Sequence, residues 1–209
     1  MFGAKGDIKM AMTYKEKILN RIENDSGSVF IADDFFDITG YETVRSTLNR
    51  LADKGTIKRI IKGIYYKPKY FEILDDYESP SIPKVAKAIA RKYNWNIAPS
   101  GNTALNLLGL DTQVPSKWSY ISNGRYVTVQ VGNTTIEFKH RNGAEISNMT
   151  EDTAMVIQAI KTIGKGKVTE NKIDHLKTRL SKDQKENLLN ESKSASKWIY
   201  AIIRKICEE

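Results

Sequence analysis

A group of polar and basic side chains at helical spacing has the residue types in this sequence that best suit chemistry. Arg45, Ser46 and Asn49 fall on one side of a predicted helix over residues 41–54, because positions three or four apart share a helix face. Arginine pairs with guanine and asparagine with adenine in the major groove of DNA. We therefore predict that these three side chains contact base edges. A second group of polar and basic residues suits the phosphate backbone: Thr43, Arg50, Lys54, Lys58, Arg59 and Lys62.

Catalytic chemistry has little support in this sequence. His140 and His175 are its only histidines, and neither has the spacing of a metal-ligand pair. Cys207 is the single cysteine, so neither an internal disulfide nor a paired-cysteine zinc site is available. Ser100 lacks the flanking glycines of a nucleophile elbow, and Gly-Lys-Gly-Lys at residues 164–167 is an incomplete phosphate-loop pattern. We therefore expect a protein that is not an enzyme and that binds neither a metal nor a cofactor.

Three predicted helices position the candidate base contacts. The helices cover residues 14–24, 32–36 and 41–54. Thr39 has the residue type and position of an N-cap for the third helix. On that helix Val44, Leu48 and Leu51 form an apolar stripe, which we expect to face the other two helices.

Two strands rich in β-branched and aromatic residues follow the third helix. They cover residues 56–60 and 64–67, and Gly63 ends the turn between them because glycine tolerates a positive φ. We expect Tyr65 to pack behind this hairpin or to touch a sugar of the DNA. Two short helices, a longer helix and a basic hairpin in this order are typical of a winged helix-turn-helix domain, which we place at residues 14–70.

The rest of the chain predicts a linker or an ordered crossing over residues 71–84 and a second α+β domain over residues 85–209. The second domain's predicted elements are helices ending at Tyr93 and over 103–108, a small antiparallel meander of strands 118–122, 126–131 and 134–139, and helices 150–163, 173–180 and 187–206. The fold class is therefore α+β, with an N-terminal winged helix-turn-helix, a second α+β domain with a small antiparallel sheet, and a helical C-terminal tail. Trp198, Ile202 and Ile206 on the last helix suit either a dimer interface or, as we favour, packing on the second domain itself.

The chain of 209 residues has a formal charge of +8, and this charge is concentrated locally. Residues 41–70 hold eight lysines and arginines against two acids, whereas residues 71–164 hold nine of each. A surface that faces phosphates requires such a local positive field. The sequence has neither an apolar run of the roughly 20 residues that cross a bilayer nor the features of a signal peptide. We expect a cytoplasmic protein without membrane contact, with a disordered leader over residues 1–13.

Two segments carry a more specific pattern. Residues 51–66 contain the motif L-x-x-x-G-x-I-x-R-x-x-x-G-x-Y, from Leu51 to Tyr65. Residues 98–110 read Ala-Pro-Ser-Gly-Asn-Thr-Ala-Leu-Asn-Leu-Leu-Gly-Leu and are followed by Gln-Val-Pro at 113–115. With these segments the chain resembles the AbiEi-type antitoxins of abortive-infection toxin-antitoxin systems over about residues 14–145. Many winged helices share the first segment, and the second is the more discriminating.

The resemblance implies an antitoxin that represses its own operon by binding inverted repeats in its promoter. It also implies a neighbouring gene for a nucleotidyltransferase-like toxin, which such an antitoxin opposes with or without direct contact. Two-fold repeats are read by two modules, so we expect a homodimer or two monomers arranged by the DNA. Two alternatives stay open: a regulator unrelated to any toxin, whose second domain senses a ligand or dimerises, and an adaptor that uses the winged helix to bind protein.

Overall fold

The computed structural model describes residues 12–25, 27–73, 75–141, 146 and 148–208. Of the predicted leader, residues 1–11 lie outside the described part of the chain. The chain divides into two compact units, residues 1–89 and 90–209. It is α+β, with small and largely antiparallel sheets and a helical C-terminal tail, which confirms that part of the predicted fold class. Within the described ranges, no helix is long and apolar enough to cross a membrane.

The first unit begins with three helical segments. They are α1 (Tyr14–Asn24), a 3₁₀-helix (Ala32–Phe35) and α2 (Tyr41–Asp53). The sequence predicted α1 and α2, but the second segment is a 3₁₀-helix and not an α-helix, and short pieces of this kind suit connections. The predicted N-cap was also wrong, because Gly40 occupies that position and makes no side-chain capping bond. Arg21 of α1 fixes the turn before α2 through two bonds to the Asp37 carboxylate, of 2.7 and 2.6 Å.

The predicted apolar stripe of α2 faces the core of the first unit. Val44, Leu48 and Leu51 are almost completely buried there, together with Ile18 and Ile22 of α1. Residues three to four apart on α2 therefore all point inward, and the polar positions between them are left on the outer face. The amphipathic pattern alone thus determines which side of α2 faces solvent.

A three-stranded antiparallel sheet flanks these helices. Its strands β1 (Val29–Phe30), β2 (Lys58–Ile61) and β3 (Ile64–Tyr66) lie in the order β1-β3-β2. The predicted hairpin β2–β3 is confirmed, and Gly63 in its turn has a φ of 76°. The run at residues 29–30 was not among the predicted strands. Instead it pairs with Tyr65 and Tyr66, which gives its backbone groups partners that a two-residue segment lacks locally.

The stretch predicted as a linker contains ordered structure. Strands β4 (Tyr70–Phe71) and β5 (Asp76–Tyr77) form a small antiparallel hairpin. The rings of Tyr70 and Tyr77 pack edge to face with their centroids 5.1 Å apart, which helps to hold so short a pair together. Helix α3 (Ile82–Tyr93) follows, and the division between the two units falls within it.

The second unit contains a four-stranded mixed sheet. Strands β6 (Ile97–Pro99), β7 (Lys117–Ser122), β8 (Val127–Val131) and β9 (Thr134–His140) lie in the order β6-β7-β9-β8, and helix α4 (Asn102–Leu107) follows β6. The predicted meander was wrong, because β9 lies between β7 and β8 and runs parallel to β7. Tyr120 and Phe138 stack across this parallel pair with their ring centroids 5.8 Å apart. The antiparallel pairing of the last two predicted strands, β8 and β9, is confirmed.

Four helices form the C-terminal tail. They are α5 (Glu151–Ile163), α6 (Glu170–Arg179), α7 (Lys182–Glu191) and α8 (Lys197–Cys207). The single helix predicted over 187–206 was wrong, because a 3₁₀-helix (Ser192–Ser194) and extended backbone at Ala195 and Ser196 separate α7 from α8. Ile206 is fully buried in the core of this unit, and Trp198 and Ile202 pack against the same core. This face of α8 therefore packs on its own unit.

A nearly buried carboxylate lies in the middle of β9. Glu137 is 6% exposed, and its Oε1 accepts hydrogen bonds from the Tyr126 hydroxyl (2.6 Å) and Lys117 Nζ (3.4 Å). Its Oε2 accepts from Ser119 Oγ (3.4 Å) and lies 3.2 Å from Lys139 Nζ. The Tyr126 bond, followed by those from the two lysines, outweighs burial and lowers the pKa of Glu137 to about 2.

This low pKa predicts a pH-dependent stability of the second unit. Because the pKa in the folded protein is below the ordinary value of 4.5, the Glu137 charge stabilises the fold above pH 4.5. This stabilisation is lost as the pH falls from 4.5 to about 2. We expect Glu137→Gln to lower the free energy of unfolding by about 1–3 kcal/mol at neutral pH. The deficit of the variant should shrink over that pH range.

Urea unfolding followed by tryptophan fluorescence measures this effect, because the three tryptophans, Trp95, Trp118 and Trp198, all lie in the second unit. Glu186→Gln, at an exposed position of α7, is the matched control and should follow the wild type. A deficit of Glu137→Gln that stays constant from neutral pH to pH 2 would contradict the prediction.

Candidate nucleic-acid interface

The outer face of α2 presents the three residues predicted to read bases. We call Arg45, Ser46 and Asn49 the reading face. Arg45 is exposed, whereas Ser46 and Asn49 are half-buried. Arg45 forms an ion pair of 2.9 Å with Glu42, one turn earlier on the helix. Both partners are largely exposed, and such surface pairs are worth about 0–1 kcal/mol, so Arg45 can leave Glu42 for a base at little cost.

Asn49 has an intramolecular role that the sequence did not indicate. Its Oδ1 accepts hydrogen bonds from Arg59 Nη2 at 2.6 Å and from the Tyr65 hydroxyl at 2.7 Å. Tyr65 is only 4% exposed. Of its two predicted roles, packing behind the hairpin therefore applies, and contact with a sugar of the DNA does not. Bidentate pairing with adenine uses both the oxygen and the nitrogen of an asparagine amide. Asn49 would therefore have to give up these bonds in order to read a base in that way.

The β2–β3 hairpin holds three of the predicted backbone contacts. The Arg59 guanidinium lies 5.4 Å from the Tyr65 ring, and Lys58 Nζ lies 4.3 Å from the ring of Tyr77 in the neighbouring β4–β5 hairpin. Lys62 is exposed in the turn. Rings below two of these cations limit the directions in which they point, which reduces the entropy they lose on meeting a phosphate. Tyr77 was missed by sequence reasoning, because its segment was assigned to a linker.

The remaining predicted backbone contacts lie on α2 and at its C-terminal end. Thr43, Arg50 and Lys54 are all exposed. Within the described part of the chain, the side chains of Arg50 and Lys54 have neither an ion pair nor a hydrogen bond. Their charges are therefore available to an external anion. The structure thus places all nine predicted contacts on α2, its C-cap and the adjoining hairpin.

Acidic side chains border this basic surface on one side. Burial, followed by the charges of Asp76 and Glu78, raises the pKa of Tyr66 on β3. These carboxylates of the β4–β5 region therefore lie close to the end of β3, where they would repel a phosphate chain.

The candidates for other chemistry belong to the second unit. His140 Nδ1 lies 2.7 Å from the Gly124 carbonyl oxygen, and His175 Nε2 lies 2.9 Å from that of Leu108, so both rings are bound to the backbone. Burial raises the pKa of the half-buried Cys207 thiol, which disfavours the nucleophilic thiolate. Across the described residues, no three His, Cys, Asp or Glu side chains are grouped to hold a metal ion.

Comparisons with known proteins give one family and a distant structural likeness. The model of a family described as "Family of unknown function (DUF6088)" matches residues 16–188. The crystal structure of the RV2827C protein from Mycobacterium tuberculosis is similar with a TM-score of 0.45 and 12% sequence identity, over 95% of this chain and 77% of that chain. A search of curated proteins finds no match.

The Asn49 bonds predict a stability coupling between α2 and the hairpin. Asn49→Ala leaves the buried Tyr65 hydroxyl without its acceptor, which we expect to lower the free energy of unfolding by about 1–3 kcal/mol. Tyr65→Phe alone removes the hydroxyl and should cost less. The double variant should be more stable than the sum of the single losses allows. Urea unfolding followed by circular dichroism gives the free energy of unfolding of the wild type, the two single variants and the double variant. Strictly additive losses would show that the hydrogen bond between Tyr65 and Asn49 has no energetic role.

Proposed function

The chain belongs to the DUF6088 family of unknown function, and we propose that it is a DNA-binding transcriptional autorepressor whose first unit is a winged helix-turn-helix. The proposal rests chiefly on one observation. The outer face of α2 carries polar and cationic side chains, of which Arg45, Arg50 and Lys54 are exposed, and it adjoins a hairpin with three exposed cations. An exposed amphipathic helix beside a basic hairpin suits the major groove of duplex DNA.

The arrangement of the first unit supports this proposal. Helix α1, the 3₁₀-helix and α2 are followed by the β2–β3 hairpin, and β1 extends that hairpin to three strands. In a helix-turn-helix the second helix of the motif enters the groove, which is the role we give to α2. In a winged domain the hairpin is the wing, which we expect to meet the phosphate backbone beside the groove.

Each predicted contact then has a distinct role. Arg45 and Ser46 read base edges from α2. Asn49 contacts a base through its amide nitrogen, while its oxygen holds Arg59 in place. The remaining residues bind phosphates and carry little sequence information: Thr43, Arg50, Lys54, Lys58, Arg59 and Lys62.

We further propose that this repressor is an antitoxin of the abortive-infection type and acts in the cytoplasm without catalytic activity of its own. The support is the resemblance to AbiEi-type antitoxins at residues 51–66 and 98–115. In this proposal two copies bind inverted repeats in the promoter of the operon. The neighbouring gene encodes a nucleotidyltransferase-like toxin, which the antitoxin opposes.

A mobility-shift titration on the upstream promoter and on a scrambled duplex, at two salt concentrations, tests DNA reading. We expect tighter binding to the promoter, and we expect Arg45→Ala with Ser46→Ala to lose about 1–3 kcal/mol of that preference. Arg50→Ala and Lys54→Ala should instead weaken binding to both duplexes. Each should reduce the slope of log K against log salt by about 0.9, because one phosphate contact is lost.

Lys165→Ala is the matched control for charge, since it removes an exposed lysine of the second unit. Full promoter preference in the Arg45→Ala, Ser46→Ala variant would refute the reading face. Absence of binding to either duplex would refute the repressor, and salt-insensitive binding to a protein would then favour the adaptor.

Co-expression with the adjacent gene tests the antitoxin role. We expect induction of that gene alone to arrest growth and co-expression of this chain to restore colony formation. When both genes are expressed from foreign promoters, repression has no effect on the level of the toxin. Under that condition the Arg45→Ala, Ser46→Ala variant separates opposition to the toxin from the reading of DNA. Growth arrest that persists with the wild-type chain would refute the antitoxin role and leave DNA binding untouched.

A further inference from the structure

The second unit contains a charged cluster that the proposed function does not use. It consists of Glu137 with its four donors, Lys117, Ser119, Tyr126 and Lys139, and of Arg141 at the end of β9; we call it the Glu137 cluster. Ser119 and Glu137 are register partners across the parallel pair β7–β9, so their side chains share a face of the sheet. Lys117 and Lys139 lie two positions away along the two strands and share that face, in reach of the same carboxylate.

The hydrogen-bonding capacity of Glu137 is already filled from within the protein. Each carboxylate oxygen accepts from two donors, at distances between 2.6 and 3.4 Å. The carboxylate is therefore not free to bind a ligand. Its effect is to draw the two lysine ammonium groups, which lie on either side of it in the register, towards one carboxylate.

The cluster holds more positive charge than this carboxylate balances. The hydrogen bond to Glu137, followed by burial, raises the pKa of Tyr126, and the nearby charge of Arg141 opposes that shift. Arg141 follows Lys139 two positions further along the chain, and its Nη1 donates to the His140 carbonyl oxygen at 2.9 Å, so it adds a third cation at this end of β9. The strand neighbours on this face, Thr128, Gln130 and Thr135, are uncharged. Among the residues that the structure describes, this end of the sheet thus holds three cations and one anion, an excess of two positive charges.

The cations of the cluster are open to solvent while their anion is covered. The side chains of Lys117 and Lys139 are 52% and 38% exposed, against 8% for Glu137. An ammonium group has three donors, and only part of this capacity is directed at the carboxylate. The ring of Tyr126, 61% exposed, borders the same place. A structural ion pair would need only one of these cations.

We propose that the Glu137 cluster is a binding site for a phosphate group, with Lys117, Lys139 and Arg141 contacting its oxygens. A phosphate carries one charge as a diester and up to two as a monoester, with several acceptor oxygens, which suits a surplus of positive charge spread over three donor groups. Glu137 acts as a positioning residue, since it touches the lysines and not the ligand. The phosphate belongs either to a small molecule or to a nucleic-acid backbone, and the exposed Tyr126 ring offers a stacking surface for an attached base. The inference concerns the second unit and does not depend on the α2 reading face.

Isothermal titration of the full chain with sodium pyrophosphate and with a random DNA duplex, at matched ionic strength, tests the site. Arg141→Ala removes a cation that makes no bond to Glu137, so its fold should be intact, and circular dichroism checks this. We expect the dissociation constant for pyrophosphate to rise about tenfold in Arg141→Ala and in Lys139→Gln, as the loss of one charge-assisted contact implies. The Lys165→Ala control should bind as the wild type does.

Glu137→Gln separates positioning from net charge. If Glu137 acted only through its negative charge, its removal would strengthen anion binding. Because Glu137 aligns the lysines, we expect the variant to bind pyrophosphate several-fold more weakly. A loss of affinity for pyrophosphate in the cluster variants supports a small phosphorylated ligand. A loss for the duplex alone supports a phosphate of a nucleic-acid backbone. The proposal is overturned if the wild type binds neither probe, or if Arg141→Ala and Lys139→Gln bind both probes as the wild type does.

Discussion

The pair of hydrogen bonds accepted by Asn49 determines how the first unit presents its polar surface. One bond comes from the buried Tyr65 on β3 and the other from Arg59 on β2, so a single amide oxygen of α2 is tied to both strands of the hairpin. A buried hydroxyl strongly favours keeping its acceptor, because an unpaired one costs about 1–3 kcal/mol. The relative orientation of α2 and the hairpin is therefore fixed, and the reading face and the hairpin cations are presented as one surface.

The net charge of the chain does not show how its charged side chains are distributed within each unit. In the first unit the cations of α2 and the β2–β3 turn are exposed, while carboxylates gather at the β4–β5 hairpin and near the end of β3. In the second unit one covered carboxylate aligns exposed cations on the sheet. In both units acids do not merely offset the positive charge. In the second unit the strand register places the carboxylate between the two lysines that it contacts.

The sequence predicted those parts of the fold that depend on local pattern. The spacing of apolar residues on α2 predicted its buried face, and the turn at Gly63 predicted the β2–β3 hairpin. The parts that were missed depend on partners far away in the chain. Two residues of β1 are too few to reveal a strand, and the neighbour of β9 is set by packing across β7. The same holds for the site, because the types of Arg45 and Asn49 suggested base contacts, whereas the acceptor role of Asn49 depends on Tyr65, which is 16 residues away.

The parallel pairing of β7 with β9 has a consequence for how the chain folds. Strand β7 pairs with β6 on one side, but its other side stays open until β9, which is synthesised after β8, takes its place between them. The β8–β9 hairpin can form by itself in microseconds, while its docking against β7 closes a longer loop and is slower. During this interval β7 is an unpaired edge able to join another nascent chain. Lys117 at the start of the strand places a charge on that edge, and charged residues of this kind are what discourage such pairing.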